Sequence, residues 1–299
     1  MKDISIATSK YPTEESELIV TNEGCIYHLN LHPSQIANTI IVVGDQNRVK
    51  EISQHFDRIE HTVSNREFVT HTGVYRNKRL SVLSTGIGTD NIDIVLNELD
   101  ALVNYNLSTR TILPNKTSLT IIRLGTSGSL QANIPVDSAV VSKYAIGFDG
   151  VLPFYKTEYE PDEIALINAF VDHTNWNNSL NPPYAVKAND DLFNLLSKGN
   201  FSGITATSNG FYGPQGRILR LNPARPDLNS LFSTFHWNNL KLTNYEMETS
   251  ALYGLSALLG HKACTVCAII ANRYIKAYSK DYHKTIELLI GQLLDRLTQ

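Results

Sequence analysis

The chain has 299 residues, of which 42% are hydrophobic and 18% charged, and it carries a formal net charge of −3 at pH 7. That length and balance suit a soluble globular protein with a sizeable core, and the weak negative charge gives no reason to expect nucleic-acid or anionic-membrane binding. Three cysteines argue against a disulfide framework and fit a reducing cytoplasm, and a polar opening that includes Pro12, Glu14, Glu15 and Glu17 predicts no secretory leader.

Residues 1–24 are polar and read as a loose segment. From 25 to 299 no repeat, low-complexity tract or linker-like shift interrupts the chain, so one domain is expected. Residues 26–31 alternate in the manner of a half-exposed edge strand that carries His28. Residues 40–43 form the first buried strand, which Gly44 and Asp45 end. Val49, Ile52 and Phe56 then keep helical spacing. The turn from Gly44 to Arg48 places a glycine, an acid and an arginine at a helix start, where free N–H groups can meet an anion. Residues 64–70, 72–75 and 80–83 read as strands. The last runs into Ser84-Thr85-Gly86-Ile87-Gly88, after which Asp90 can cap a helix carrying Ile92, Val95, Leu96, Leu99 and Val103.

A third strand, 119–122, runs into Arg123 and then Gly125-Thr126-Ser127-Gly128. Two glycines around two hydroxyls can form a loop whose N–H groups face an anion, beside an arginine fork suited to phosphate. The other reading is a tight turn next to a surface arginine. Strands follow at 139–141, 204–207 and 265–271, and helices at 165–171 and 190–196. Residues 144–161 are aromatic and irregular and receive no assignment. The stretch 209–217 holds three glycines and Pro214, which forbid regular structure. Its Phe211, Tyr212, Gln215 and Arg217 could face a planar polar ligand or merely plug a surface loop.

Asn244 reads as the cap of a helix whose buried stripe is Met247, Ala251, Leu255 and Leu258, ended by Gly260. Glutamates in its first turn would complement the helix dipole, or one could hold the vicinal hydroxyls of a sugar. Gly260, His261 and Lys262 interrupt residues 251–270, which therefore read as helix, turn and strand rather than a membrane span. Cys264 and Cys267 have metal or redox spacing, but three residues apart on a strand they point to opposite faces. No metal is predicted. A last helix over 281–297 buries Ile286, Leu289, Leu293 and Leu297.

Taken together, these segments resemble the nucleoside phosphorylase family, and within it the uridine phosphorylases. The resemblance rests on IYHLNL (26–31), VVGDQNRV (42–49), REF (66–68), STGIG (84–88), IIRLGTSGSLQ (121–131), FYGPQGR (211–217), NYEMETSALY (244–253) and IIANR (269–273). It implies an α/β fold: a single-domain three-layer sandwich with a central mixed, partly barrel-like sheet flanked by helices. The implied activity is phosphorolysis of uridine or a related pyrimidine nucleoside by direct attack of phosphate on C1′. Inorganic phosphate is then a co-substrate, and no cofactor is needed.

Residue by residue, Gly44, Arg48, Arg123 and Thr126 match the phosphate-binding positions. Arg66 matches a phosphate arginine supplied by a neighbouring subunit. Glu248 matches the glutamate on the ribose hydroxyls, Met247 the methionine against the sugar, and His28 a histidine that reaches a neighbour's ribose. Gln215 and Arg217 match the pair that reads the uracil edge, with Phe211 beside them and Arg273 near the base. Such proteins are homodimers or homohexamers. The chain departs from the pattern at Gly213-Pro214, where the usual order is reversed, after Arg273, and at Thr89-Asp90-Asn91, near which some relatives hold a monovalent cation at the dimer interface. Alternatives are a purine or methylthioadenosine phosphorylase, a nucleoside hydrolase, and a non-catalytic nucleoside-binding or storage protein.

Overall fold

Short runs of β-branched residues seed the inner strands. The computed structural model of the protein describes residues 12–177 and 179–298. Strand β1 (Thr39–Val43) is Thr-Ile-Ile-Val-Val, buried after its first residue, as a strand covered on both faces must be. Helix α1 (Gln46–Ser53) follows at once, started by the Asp45 carboxylate, which accepts the Asn47 N–H at 2.9 Å. An antiparallel meander, β2 (Arg58–Asn65), β3 (Phe68–Tyr75) and β4 (Lys78–Ser84), leads into α2 (Thr89–Asn104). A small hairpin, β5 (Tyr105–Asn106) and β6 (Thr111–Ile112), precedes the long β7 (Thr120–Ser129) and β8 (Ala139–Gly147).

The second half runs α3 (Pro161–Thr174), β9 (Tyr184–Lys187), α4 (Asp190–Leu196), β10 (Phe201–Thr207), α5 (Leu228–Thr234), β11 (His236–Trp237) and β12 (Leu240–Glu246). It closes with α6 (Thr249–Leu258), β13 (Lys262–Asn272), β14 (Ala277–Tyr278) and α7 (Tyr282–Leu297).

Among the described residues twelve strands share one mixed sheet. Five of them, β12, β10, β8, β13 and β7, form a closed ring, because β12 also pairs back onto β7 through Asn244 with Ser129 and Tyr245 with Gly128. Strands β1, β4, β3 and β2 extend from β7 as an open wing. The fold is therefore mixed α/β, a five-stranded barrel continued by a sheet and flanked by helices.

The parallel register sets the site. Val43 lies beside Ser84 and Val42 beside Arg123, so the turns after β1 and β4 open at the edge that β7 crosses with Arg123. Two buried clusters hold this frame. The larger packs β1, β4, β7 and β13 against α2, α6 and α7. The smaller is aromatic, built on Phe148, Phe170, Phe232, Phe235 and Tyr245, with the rings of Phe148 and Trp176 stacked 5.1 Å apart.

Several sequence expectations need correction. Residues 26–31 are not a strand: Asn30 is left-handed at φ 52°, and the Glu98 carboxylate takes the N–H groups of His28 and Leu29 at 3.0 and 2.8 Å. Residues 64–70 are broken by a two-residue hairpin turn at Arg66 and Glu67, with Arg66 at φ 54°. Gly88, at φ 98°, takes the position before α2, which moves Asp90 into its first turn.

Asn244 caps nothing. It lies in β12, where its side-chain oxygen accepts from Thr205 Oγ1 at 3.0 Å and Thr243 Oγ1 at 2.8 Å. Gly125 to Gly128 belong to β7 and pair with β13, so they form strand where the sequence suggests a loop. Of the expected loose segment, 1–11 lie outside the described residues. In 12–24, Leu18 is buried and Val20 bridges to Ile26. Residues 144–147 complete β8. The stretch 251–270 divides into α6, a turn and β13, and among the described residues no helix is long and apolar enough to cross a membrane.

Candidate active site

The site is built around Arg123, which is 5% exposed in the middle of β7. Its guanidinium folds back over Gly125: a Cβ there would sit 2.0 Å from Arg123 Nη1. The glycine is needed for that side chain, since anything larger would occupy its place. Arg123 Nη2 donates to Glu248 Oε2, while Nη1 lies 3.3 Å from Glu246 Oε2 and donates to Cys267 Sγ at 3.3 Å.

The other Glu248 oxygen accepts the Gly88 N–H at 2.8 Å, which ties the loop after β4 to the start of α6. One guanidinium thus lies between two buried acidic side chains. Burial pulls the Arg123 pKa down, but Glu248 and Glu246 more than reverse this and hold the arginine charged. Burial pushes the Glu248 carboxyl up, against the pull of Arg123 and with help from Glu246.

Arg48, in the first turn of α1, points into the same region and donates Nη1 to the Leu124 carbonyl at 3.4 Å. Burial lowers its pKa, and Arg123 contributes to the lowering despite two acids nearby. Arg48 Nε and Arg123 Nε are buried with no partner among the described residues. Two guanidinium groups with unspent donors at a helix start suit an oxyanion. Gly44, at the end of β1, approaches the Gly86 carbonyl so closely that a Cβ would touch it at 3.4 Å. Thr126 is half-buried on β7, opposite Ala268 of β13.

A second group gathers at the other end. Gln215, 3% exposed, lies in a 3-10 turn, and its Oε1 accepts from Arg217 Nη1 at 2.6 Å. Arg217 also donates to the Phe211 carbonyl, with its guanidinium carbon 3.6 Å from the centre of the Phe211 ring. Arg273 Nη2 donates to the Gln215 carbonyl at 3.0 Å, and its side chain runs past Gly128. Burial first, and Arg273 second, pull the Arg217 pKa down to about 10. Burial raises the Tyr245 phenol, whose hydroxyl is enclosed with no partner among the described residues but lies in the field of Arg273 and Arg217. Tyr245 belongs to this end and Glu248 to the other, so three residues of chain, roughly 10 Å, span the scale of a nucleoside. Met247 sits between them, half-buried.

His28 and Arg66 lie together elsewhere. His28 Nδ1 contacts Glu98 Oε1 at 2.6 Å, and Asn65 Nδ2 donates to the His28 carbonyl at 2.8 Å. Exposed Arg66 donates to the Tyr27 hydroxyl at 3.3 Å and lies over its ring.

The sequence profile of the phosphorylase superfamily matches residues 38–293. The chain belongs to this superfamily. The phosphorylase is 29% identical over 287 residues to a uridine phosphorylase of Thermococcus kodakarensis, covering 93% of this chain and 89% of the relative. It is 27% identical to a DeoD-type purine nucleoside phosphorylase of Clostridium perfringens, over 81% of this chain and 85% of that one. Its fold matches the crystal structure of a Trypanosoma brucei nucleoside phosphorylase described as showing uridine phosphorylase activity. The TM-score is 0.82 at 27% identity, covering 94% of this chain and 99% of that one. The protein is thus an enzyme of the nucleoside phosphorylase, pentosyltransferase type, with nucleoside and phosphate as substrates.

Sequence reading of the phosphorylase missed four contributors. Gly88 supplies a backbone donor to Glu248, although STGIG had marked only a loop. Glu246 was taken as a first-turn acid of a helix that begins three residues later, at Thr249. Tyr245 was hidden in the same stretch. Cys267, set aside with Cys264 as an inert pair, touches Arg123. A cavity of about 980 Å³ opens beside Arg217 and Tyr212, whereas one of about 500 Å³ between α3, β9 and α6 contains none of the site residues.

Proposed function

We propose that this phosphorylase cleaves uridine, or a closely related pyrimidine nucleoside, to uracil and a pentose 1-phosphate. The observation that carries the choice of base is the buried Gln215 amide held by Arg217 beside Arg273. An amide can accept from uracil N3–H and donate to a ring carbonyl at once. Purine-cleaving relatives place an acid at the end of the last barrel strand. Here that position holds Asn272, whose amide donates to the carbonyls of Gln131 and Ile134 at 2.9 and 2.8 Å.

In this reading phosphate itself is the nucleophile, so the protein positions it and stabilises charge. Arg123, Arg48, Gly44 and Thr126 hold phosphate below C1′, where its charge favours the developing oxocarbenium ion. Glu248 turns to the ribose hydroxyls and Met247 packs against the sugar. The uracil ring leaves with negative charge, and the donors of Arg217 and Gln215 strengthen as the bond breaks, which lowers the barrier. Phe211 and Arg273 complete the base end. His28 and Arg66 serve a neighbour's site in a homodimer or homohexamer, a role their shared patch with Tyr27 supports. Residues 25–299 act as a single domain, and three free thiols suit the reducing cytoplasm.

A panel of pyrimidine and purine nucleosides, with and without phosphate, read by release of free base, tests this. Uridine cleavage that requires phosphate is expected. Purine cleavage with uridine untouched would overturn the base assignment, and cleavage indifferent to phosphate would overturn phosphorolysis. The charged ligand residues that decay in a binding-only protein, Arg48, Arg123 and Glu248, are all in place.

A further inference from the structure

We infer that Glu246 is a positioning residue: its carboxylate fixes the Arg123 guanidinium and the backbone carrying Glu248 as one unit, without itself meeting substrate. The inference rests on the reading above for which ligand each of those two groups meets. Glu246 ends β12 and is 4% exposed. Its Oε2 accepts the N–H groups of Glu248 and Thr249, both at 2.9 Å, and lies 3.3 Å from Arg123 Nη1. Its Oε1 accepts from Thr207 Oγ1 at 2.6 Å, and that hydroxyl oxygen in turn accepts the Ser250 N–H at 3.0 Å. Three successive N–H groups at the start of α6 are therefore satisfied by Glu246 and Thr207, which face each other across the β10–β12 pair. A carboxylate at a helix start is further favoured by the helix dipole.

The two glutamates differ in freedom. Glu248 holds Arg123 and Gly88 with the end of its own side chain, and must let go of the arginine to reach a sugar. Glu246 cannot follow, because both of its oxygens are tied to β10 and α6. When Glu248 changes partners, Glu246 is the carboxylate that keeps Arg123 aimed at phosphate. It also keeps the residue-248 backbone at a fixed distance from that arginine.

Two substitutions separate this role from simple helix capping. Glu246→Ala removes both the cap and the charge. Glu246→Gln keeps an oxygen for the Glu248 and Thr249 N–H groups but offers Arg123 no carboxylate. The melting temperature should drop in the alanine variant and return to within about 2 °C of wild type in the glutamine variant. The phosphate KM should be raised by about fivefold or more and kcat lowered about tenfold in both, while the nucleoside KM should rise in the alanine variant, whose residue-248 backbone is freed, and stay within about twofold of wild type in the glutamine variant. A glutamine variant that recovers phosphate KM along with melting temperature would overturn the proposal, leaving a cap alone. A rise confined to the nucleoside KM would also overturn it, by placing Glu246 on the sugar. Wild-type protein that cleaves a purine nucleoside would remove the uridine reading only, since the phosphate readout does not depend on the base.

Discussion

Replacing Gly125 by alanine perturbs the site through a single methyl group. An ideal Cβ at this position lies 2.0 Å from Arg123 Nη1, 2.7 Å from Cζ and 3.0 Å from Nη2, short of the 3.4 Å at which ordinary contact begins by as much as about 1.4 Å. The atoms in the way are the far end of a side chain, so β7 keeps its pairing and the guanidinium gives way. It cannot retreat that far and still keep both Glu248 on Nη2 and Cys267 on Nη1. A displacement near 1 Å at a reacting group costs roughly a hundredfold in rate, or about 2.7 kcal/mol of barrier. The stability loss should stay below about 2 kcal/mol, because no backbone clash and no cavity are created. The assay is phosphate-dependent release of uracil, read with the phosphate KM and the melting temperature. Gly291→Ala, in α7 where a Cβ would meet open space beyond its own helix backbone among the described residues, is the control and should be neutral or slightly stabilising. Gly125→Ala protein within threefold of wild type in kcat and phosphate KM would refute the placement of Arg123 at phosphate.

Arg217→Ala should lower kcat/KM for uridine by about a hundredfold or more, the usual loss for a donor to a leaving group, while phosphate binding measured by calorimetry stays within about twofold. Equal loss of both would count against its role at the base. Burial pushes the Cys267 thiol up to about 11, so an unfolded chain gives up that proton first as pH rises from about 8.5. The stabilisation is therefore complete below that pH and is lost toward 11, at about 1.4 kcal/mol per pH unit. Urea midpoints between pH 9 and 10.5 should fall more steeply for wild type than for Cys267→Ala, and parallel slopes would refute the shift. With Cys264 also buried and pushed up to about 12, a thiol reagent at pH 8 should count one cysteine, Cys25, in native protein and three after unfolding. Rapid labelling of all three in the native state would contradict that burial.

What the sequence reveals depends on how local the deciding interactions are. β1 and α7 are legible because the period that marks each lies within a few residues. The stretch Asn244–Glu248 reads as helix because Met247, Ala251, Leu255 and Leu258 keep the spacing, yet residues 244–246 are held in β12 by β10 and β7, neighbours distant in sequence. Gly125 and Gly128 look like a turn because glycine's usual meaning is conformational. In β7 they instead make room for Arg123 and Arg273, arginines whose positions no local pattern discloses. Residues 26–31 alternate well, but Glu98, about seventy residues on, bends them with its carboxylate. Motif resemblance to the family is what nominates the candidate site residues. The ties that orient them, from Gly88, Glu246 and Cys267, join strands and loops far apart and leave no mark in any short window.

The group proposed to meet the base, Phe211, Gln215 and Arg217, hangs on a loop outside the sheet, whereas Arg123, Glu246 and Glu248 are set by strand register and a helix start. In that reading chemistry and selection are mounted largely on separate hardware, with Arg273, just past the end of β13, as the link between them. On the proposed assignment, insertions or exchanges between residues 209 and 225 should re-tailor which heterocycle is accepted while leaving the barrel and its arginines undisturbed. A graft of that loop from an enzyme with another preference should then carry the new preference with it.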